Sequence, residues 1–366
     1  MNILYIANIR LPTEKAHGLQ IMKTCEALAL SGADMVLLVP RRHNPIRENP
    51  FEYYGIRARF KVVYVPTLDL VRFGRLGFIV QTLTFSLSAF FYCLRHPQDA
   101  FFSRDEIPLW FAGFISKKML WESHTGAWNF FARSVAKRCT TLVAISDGIK
   151  KLYTARGIDE QKIIVAPDGV DLDAFENPEP TVLARQRLGL PQDKKIALYI
   201  GRLDGWKGTE TLCQASALLS DDIRIAVIGG EEAHVQKLRS TYPKVLFVGY
   251  RPYKEVADNQ AAADVLVLPN TAKDIISAEL TSPLKLFTYM ASGKPIVASD
   301  LPSIREVLDD ESCYFAKPDD AQSFADTITE ACAHTQASAQ KALAAQRLVA
   351  GYTWLARAQK ILATIQ

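Results

Sequence analysis

The stretch Ile196 to Ser220, IALYIGRLDGWKGTETLCQASALLS, joins an apolar run to a helical pattern through a glycine turn. Ile196–Gly201 reads as a strand whose continuous apolar character buries both faces, and Thr209–Ser220 as the helix that follows. The same unit recurs along the chain. Ile3–Ala7, Met35–Pro40, Ala100–Ser103 and Thr141–Ile145 read as strands before it, with Gly18–Ser31 as a helix closed by Gly32. Ile223–Gly229, Val245–Val248, Val265–Leu268 and Ile296–Ala298 continue the series after it. Apolar strands alternating with helices imply parallel sheets covered on both faces. The expected fold class is α/β, with two doubly wound domains in tandem and ligands at the carboxyl ends of the strands. A change of composition at Ile163–Pro180, IIVAPDGVDLDAFENPEP, reads as the linker.

The 366 residues exceed one ordinary core, and 49% hydrophobic with 22% charged residues describes a globular chain. A net charge of +4 is too small a surplus to argue for nucleic acid. Cys25, Cys93, Cys139, Cys213, Cys313 and Cys332 are scattered without a CxxC, as expected of reduced thiols in a cytoplasmic protein. The opening MNILYIANIR reads as a strand rather than a leader. Gly77–Leu94, GFIVQTLTFSLSAFFYCL, is broken by polar residues and does not read as a membrane span. It reads either as a buried helix between sheet layers or as a membrane-facing helix with Arg72 and Arg75 beside lipid head groups.

Four places carry chemistry. In YIGRLDGWKGTETL, Gly201 lets a buried strand turn, and Arg202 and Lys207 stand at a strand-to-helix junction. Such a junction suits a diphosphate, because helix amides add partial positive charge; the plainer alternative is a tight turn with two solvated cations. In ELTSPLKLFTYMASGKPIVASDLPSIREV, Thr281, Ser282 and Pro283 are expected to cap a helix, leaving the amides of Leu284 and Lys285 to meet an anion. His17-Gly18 follows the first strand but lacks G-x-G-x-x-G, so no dinucleotide fingerprint is present. His124 stands in a polar loop two residues after Glu122, with no metal-ligand spacing around it.

Taken in order, these motifs resemble the retaining GT-B glycosyltransferases of family 4. The resemblance rests on ILYIANIRLPTEKAHGLQIMKTCEALA, LVAISDGIKKLY, VAPDGVDLDAF, GRLDGWKG, VLFVGYRPYKEVADNQAAADVLVLPN and SPLKLFTYMASGKPIVASDLPSIREVL. It implies two Rossmann-like domains facing across a cleft: an acceptor domain over 1–172, a sugar-nucleotide domain over 173–348, and a last segment, 349–366, whose helix returns to the first domain. It implies a metal-independent transfer of a hexose, with retention, from a UDP- or GDP-hexose to a glycan or lipid-linked acceptor. Bacterial surface-polysaccharide or glycolipid assembly is the implied setting, in the cytoplasm or peripherally on the inner face of the membrane. No cofactor is implied beyond the donor itself.

Carried over by position, Arg202 and Lys207 would hold the donor diphosphate and Gly18 would approach it. His124 would contact the hexose, and the Gly249-Tyr250-Arg251 turn would flank the base. Gly201, Glu279, Ser282, Pro283, Leu284 and Lys285 complete the implied donor site. The family carries two glutamates eight positions apart, which would fall at Leu280 and Thr288. Thr288 lacks the carboxylate that grips a ribose, a loss of about 1.5–3 kcal/mol for one charge-assisted hydrogen bond. Two other readings stand beside this one: a UDP-sugar epimerase of the same fold, and a non-catalytic sugar-nucleotide-binding subunit.

Overall fold

A computed structural model of the protein describes residues 1–57, 60–116, 118–203 and 205–365. The chain forms two units, Met1–Asp168 with Trp354–Gln366, and Gly169–Thr353.

In the first unit, β1 (Asn2–Ile6), β2 (Asp34–Pro40), β3 (Lys61–Val65), β4 (Ala100–Ser103), β5 (Met119–Ser123), β6 (Thr141–Ala144) and β7 (Ile163–Val165) form one sheet. Its order is β3-β2-β1-β4-β5-β6-β7, and every pairing is parallel. The chain runs outward from β1 in one direction and from β4 in the other, so β1 and β4 flank the switch point where such sheets take ligands. The final helix, Trp354–Leu362, belongs to this unit, and buries Trp354, Arg357, Ala358, Ile361 and Leu362. Beyond it Thr364 accepts a hydrogen bond from Thr141 at 3.0 Å, fastening the chain end to β6.

The second unit holds β8 (Lys195–Ile200), β9 (Ile223–Ile228), β10 (Leu246–Gly249), β11 (Val265–Leu268), β12 (Ile296–Ser299) and β13 (Tyr314–Ala316). They lie in the order β10-β9-β8-β11-β12-β13, again all parallel, with β8 and β11 at the switch point. One apolar cluster, including Leu198, Leu268, Phe287 and Met290, covers one face of this sheet, and another, including Tyr199, Val227, Val267 and Phe324, the other. Strands buried on both faces need continuous apolar sequence, which is why they were readable without alternation.

Three expectations are corrected. Ile163–Val165 is not linker but β7, paired to β6; the second unit begins at Gly169. The helix after β8 is Thr209–Ala215, shorter than the sequence pattern suggested. The helix Gly74–Arg95 is not a buried inter-layer element. Its inward residues include Gln81, Thr82 and Ser86, while Leu76, Phe78, Ile79, Leu83, Leu87, Phe91 and Leu94 are exposed, Leu76 by 77%. Gln81 Nε2 donates to Asn8 Oδ1 at 2.7 Å, and Asn8 Nδ2 donates to Thr82 Oγ1 at 3.0 Å. The helix is apolar on its outside, and by length and composition it could cross a membrane.

Candidate active site

In the second unit the carboxyl end of β8 is built around missing side chains. Gly201 has φ 153°, and a Cβ there would stand 2.5 Å from the Lys285 Nζ. Gly208 has φ 66°, and a Cβ would stand 1.6 Å from the Pro269 carbonyl oxygen. Glycine is therefore required twice, once to admit a lysine and once to bring the 205–208 turn against the end of β11. The turn is held further by Thr271 N and Ser277 Oγ, which donate to the Trp206 carbonyl at 3.2 and 3.3 Å. Lys207 Nζ lies 3.3 Å from the centroid of the Trp206 ring, and Arg202 is exposed at the strand end.

The helix Leu284–Ala291 packs on the same strand end. Tyr289 accepts from Ile200 N through its hydroxyl at 2.9 Å. Lys285 Nζ lies 3.9 Å over the Tyr199 ring. Among the described residues this ammonium is buried with no hydrogen-bond acceptor. Burial, reinforced by the charge of Lys207, pushes its pKa well below the ordinary lysine value. The structure thus brings Gly201, Arg202, Lys207 and Lys285 to one strand end. The sequence had singled out Lys285 for its amide and missed its side chain.

The helix start itself differs from expectation. Its N-cap is Pro283, rather than Thr281 or Ser282, and Pro283 offers no side-chain cap. Glu279 is exposed in the π-helical turn Ile276–Leu280, whereas Leu280 is buried. Thr288 is 2% exposed; its hydroxyl accepts from Gln260 Nε2 at 2.9 Å and donates to the Lys285 carbonyl at 3.0 Å. At the far edge Gly249 has φ 84° with open space where a Cβ would sit, followed by exposed Tyr250 and by Arg251, whose Nη1 donates to the Tyr250 carbonyl.

In the first unit Gly18 opens the helix Ala16–Leu30 under Tyr54. A Cβ would stand 2.2 Å from the Tyr54 hydroxyl and 2.6 Å from Thr13 Cγ2, so this chain's own packing already demands glycine. His124 follows β5, the strand that its polar letters Glu122 and Ser123 concealed. Glu122 is fully buried, and its Oε1 accepts from His124 Nε2 and from Gln20 Nε2, each at 2.5 Å. Arg357 Nη2 stands 2.9 Å from Glu122 Oε2, as an ion pair rather than along a hydrogen-bond axis. Arg357 also donates to Thr24 Oγ1 at 3.1 Å and to the Ala166 carbonyl at 3.3 Å. Burial opposes the Glu122 charge, but Arg357 and His124 overcome it and hold the carboxyl well below the usual range. His124 is lowered to about 4, first by burial and then by Arg104, against the pull of Glu122. Gln20, Arg104 and Arg357 were not singled out by sequence. Among the described residues no three His, Cys, Asp or Glu side chains cluster as metal ligands.

Two switch-point sheets of parallel strands, with a cationic strand end in the second unit, are the architecture expected of a protein that binds a nucleoside diphosphate. The family described as "Glycosyl transferases group 1" matches residues 194–334, and that described as "Glycosyltransferase Family 4" matches 18–174. The chain thus carries a match to each of these two glycosyltransferase families, one in each half. A D-inositol 3-phosphate glycosyltransferase of Xylanimonas cellulosilytica is 29% identical over 226 residues, covering 57% of this chain and 51% of that one. The chain thus spans about half the length of the curated relatives it matches. HepE of Anabaena, solved with UDP and glucose, shares the fold with a TM-score of 0.79 at 17% identity, over 99% of this chain and 98% of that one. A sucrose-phosphate synthase from Thermosynechococcus elongatus does so with a TM-score of 0.80 at 20% identity, over 99% and 97%.

Proposed function

We propose that the protein transfers a hexose from a nucleoside-diphosphate sugar to a glycan or lipid-linked acceptor, with retention and without a metal. The observation that carries this reading is Lys285, a buried ammonium with no acceptor among the described residues, set beside Gly201 and Lys207. A desolvated cation without a counter-charge is costly, and a bound diphosphate supplies the charge. The acceptor oxygen attacks the anomeric carbon as the bond from that carbon to the phosphate oxygen breaks. The acceptor proton passes to the departing diphosphate. Arg202, Lys207 and Lys285 offset the negative charge that grows there, while the amides of Leu284 and Lys285 add donors. UDP is the favoured nucleotide, since HepE of Anabaena was solved with it.

Isothermal titration with UDP, GDP and their hexose conjugates tests this reading. One nucleotide series is expected to bind, and Lys285→Met is expected to bind it at least about tenfold more weakly. Failure of every nucleotide to bind would end the proposal. Release of an epimer without acceptor would favour the epimerase instead.

The outward apolar face of helix Gly74–Arg95 supports a lipid-borne acceptor. Exposed Arg72, Arg75 and Arg95 stand at its two ends, Arg72 over the Phe73 ring and Arg95 over that of Phe91. An outward apolar stripe framed by arginines suits the boundary of an anionic bilayer. Flotation with vesicles containing phosphatidylglycerol is expected to carry the protein, and Leu76→Glu/Phe91→Glu to leave it at the bottom; wild type staying at the bottom removes the membrane from the reading.

A further inference from the structure

Within the first unit, a cavity of about 450 Å³ opens at the carboxyl ends of β1, β2 and β3. That is the end of a parallel sheet at which ligands bind. Its walls are residues 11–12 after β1, the loop 42–50 after β2, and Tyr64 near the end of β3. The loop is fastened at two places. Asp69 Oδ1 accepts from Arg42 Nε at 3.0 Å, and Asp69 Oδ2 accepts from His43 N at 2.9 Å. Asn44 Nδ2 donates to the Pro12 carbonyl at 2.8 Å, and Asn44 Oδ1 accepts from Ile46 N at 3.1 Å.

This fastening leaves a defined set of donors in the cavity wall. Asp69 holds Arg42 through Nε, and among the described residues neither Nη1 nor Nη2 of Arg42 makes a hydrogen bond. The Arg42 side chain is only 16% exposed, so its stem is packed. Arg47 lines the same cavity, is exposed, and makes no ion pair among the described residues. Among the described residues the lining holds one carboxylate, Glu48, against these two guanidinium groups.

We propose that this cavity binds a phosphate or carboxylate group through the Nη1 and Nη2 fork of Arg42 and the charge of Arg47, and that the acceptor carries this group. The oxyanion site stands on its own geometry; its assignment to an acceptor rests on the transferase reading above. A guanidinium pinned at Nε keeps two N–H donors whose spacing matches two oxygens of one anion. Because Asp69 has already ordered the side chain, little rotamer freedom is lost on binding. Asp69 offsets part of the Arg42 charge, and Arg47 supplies a charge with no such offset. An acceptor bearing a uronate or a phosphate is therefore favoured over a neutral one, which would leave both guanidinium groups without a counter-charge.

Arginine Nε–H correlation spectra of the full chain, with signals assigned by Arg42→Lys and Arg47→Gln, read the site directly. The probes are glycerol 1-phosphate, glucuronic acid and glucose. At least one anion is expected to shift the Arg42 signal saturably, while glucose leaves it in place; the tighter anion names the group. No saturable shift from either anion, or an equal shift from glucose, overturns the site. Followed through the Arg47 signal, Arg42→Lys is expected to weaken the anion at least about tenfold, since the charge survives and the fork does not. A loss under about twofold overturns the fork. Arg47→Gln, which breaks no bond of the loop, is expected to weaken it about threefold, and unchanged affinity overturns the part given to Arg47.

Turnover then tests the carrier. With the donor found by titration, an anionic sugar acceptor is expected to exceed its neutral counterpart at least about tenfold in kcat/KM, and Arg42→Lys to shrink that advantage. Equal use of the two overturns the acceptor assignment while the transferase reading holds. A chain that binds the anion but no sugar nucleotide fails the transferase reading, and the acceptor assignment falls with it.

Discussion

Lys207→Ala is expected to lower kcat/KM for sugar transfer about 10²–10³-fold, the range found when a preorganised donor to developing charge is removed. The reason lies in how Lys207 is held. Gly208 lets the 205–208 turn lie against the end of β11, where a Cβ would stand 1.6 Å from the Pro269 carbonyl oxygen, and Thr271 N and Ser277 Oγ hold it there through the Trp206 carbonyl. The Lys207 ammonium rests 3.3 Å over the Trp206 ring, which fixes its position without neutralising it. Its charge also depresses Lys285. Removing it therefore has two opposed effects: one cation is lost from the diphosphate, and the other becomes easier to protonate. The second effect limits the loss in ground-state binding, so the larger share should appear in kcat. Lys207→Arg should keep part of the activity, since the charge survives but the compact ammonium over the ring does not. Steady-state kinetics with the donor found by titration decides it. A change within about threefold would mean that the charge growing on the diphosphate is met elsewhere.

The strand-end cations were legible in the sequence because they are local. Gly201, Arg202, Lys207 and Gly208 fall within one strand–turn–helix unit, and a glycine pair framing two cations reads the same in one dimension as in three. The sheets were legible for a related reason: strands covered on both faces are apolar throughout. The exceptions follow the same physics. β5 was hidden because Glu122 and Ser123 are buried polar letters, and their burial makes sense only with the partners that satisfy them. β3, at the sheet edge, is half exposed and alternates too weakly to read. The partners of Glu122 could not be found by spacing at all, since the hydrogen bond from Arg357 to Thr24 joins residues 333 positions apart. At Thr288 the sequence showed a lost carboxylate, but not that Gln260 occupies its hydroxyl. The helix Gly74–Arg95 misled through composition, because its polar residues face inward to Asn8 and its leucines face out.

Asp168→Asn is expected to stabilise the first unit at pH 8, by on the order of 2–4 kcal/mol, and to change it little at pH 4. Asp168 is 4% exposed, and its pKa is pushed up to about 7. Burial is the main cause; Glu122 raises it further, and Arg357 and Arg104 oppose. In the unfolded chain the same group titrates near 3.9. Between these two values the folded chain keeps a proton that the unfolded chain has released. The contribution of Asp168 is therefore fully favourable below about pH 4, falls as pH rises through the window, and is lost above pH 7. Asparagine copies the neutral acid and removes the obligation to bury a charge at high pH. Part of the gain is returned, because Arg357 loses one of the two carboxylates that raise its own pKa. The direction is diagnostic, since most substitutions of buried polar residues destabilise. Equilibrium urea unfolding at pH 4, 6 and 8 measures it, with the gap between variant and wild type expected to widen as pH rises. If the variant is the less stable at pH 8, Asp168 is an ionised partner of Arg357 in the folded chain. Arg357 would then be anchored by two charges, and neutralising Glu122 alone would leave the last helix in place.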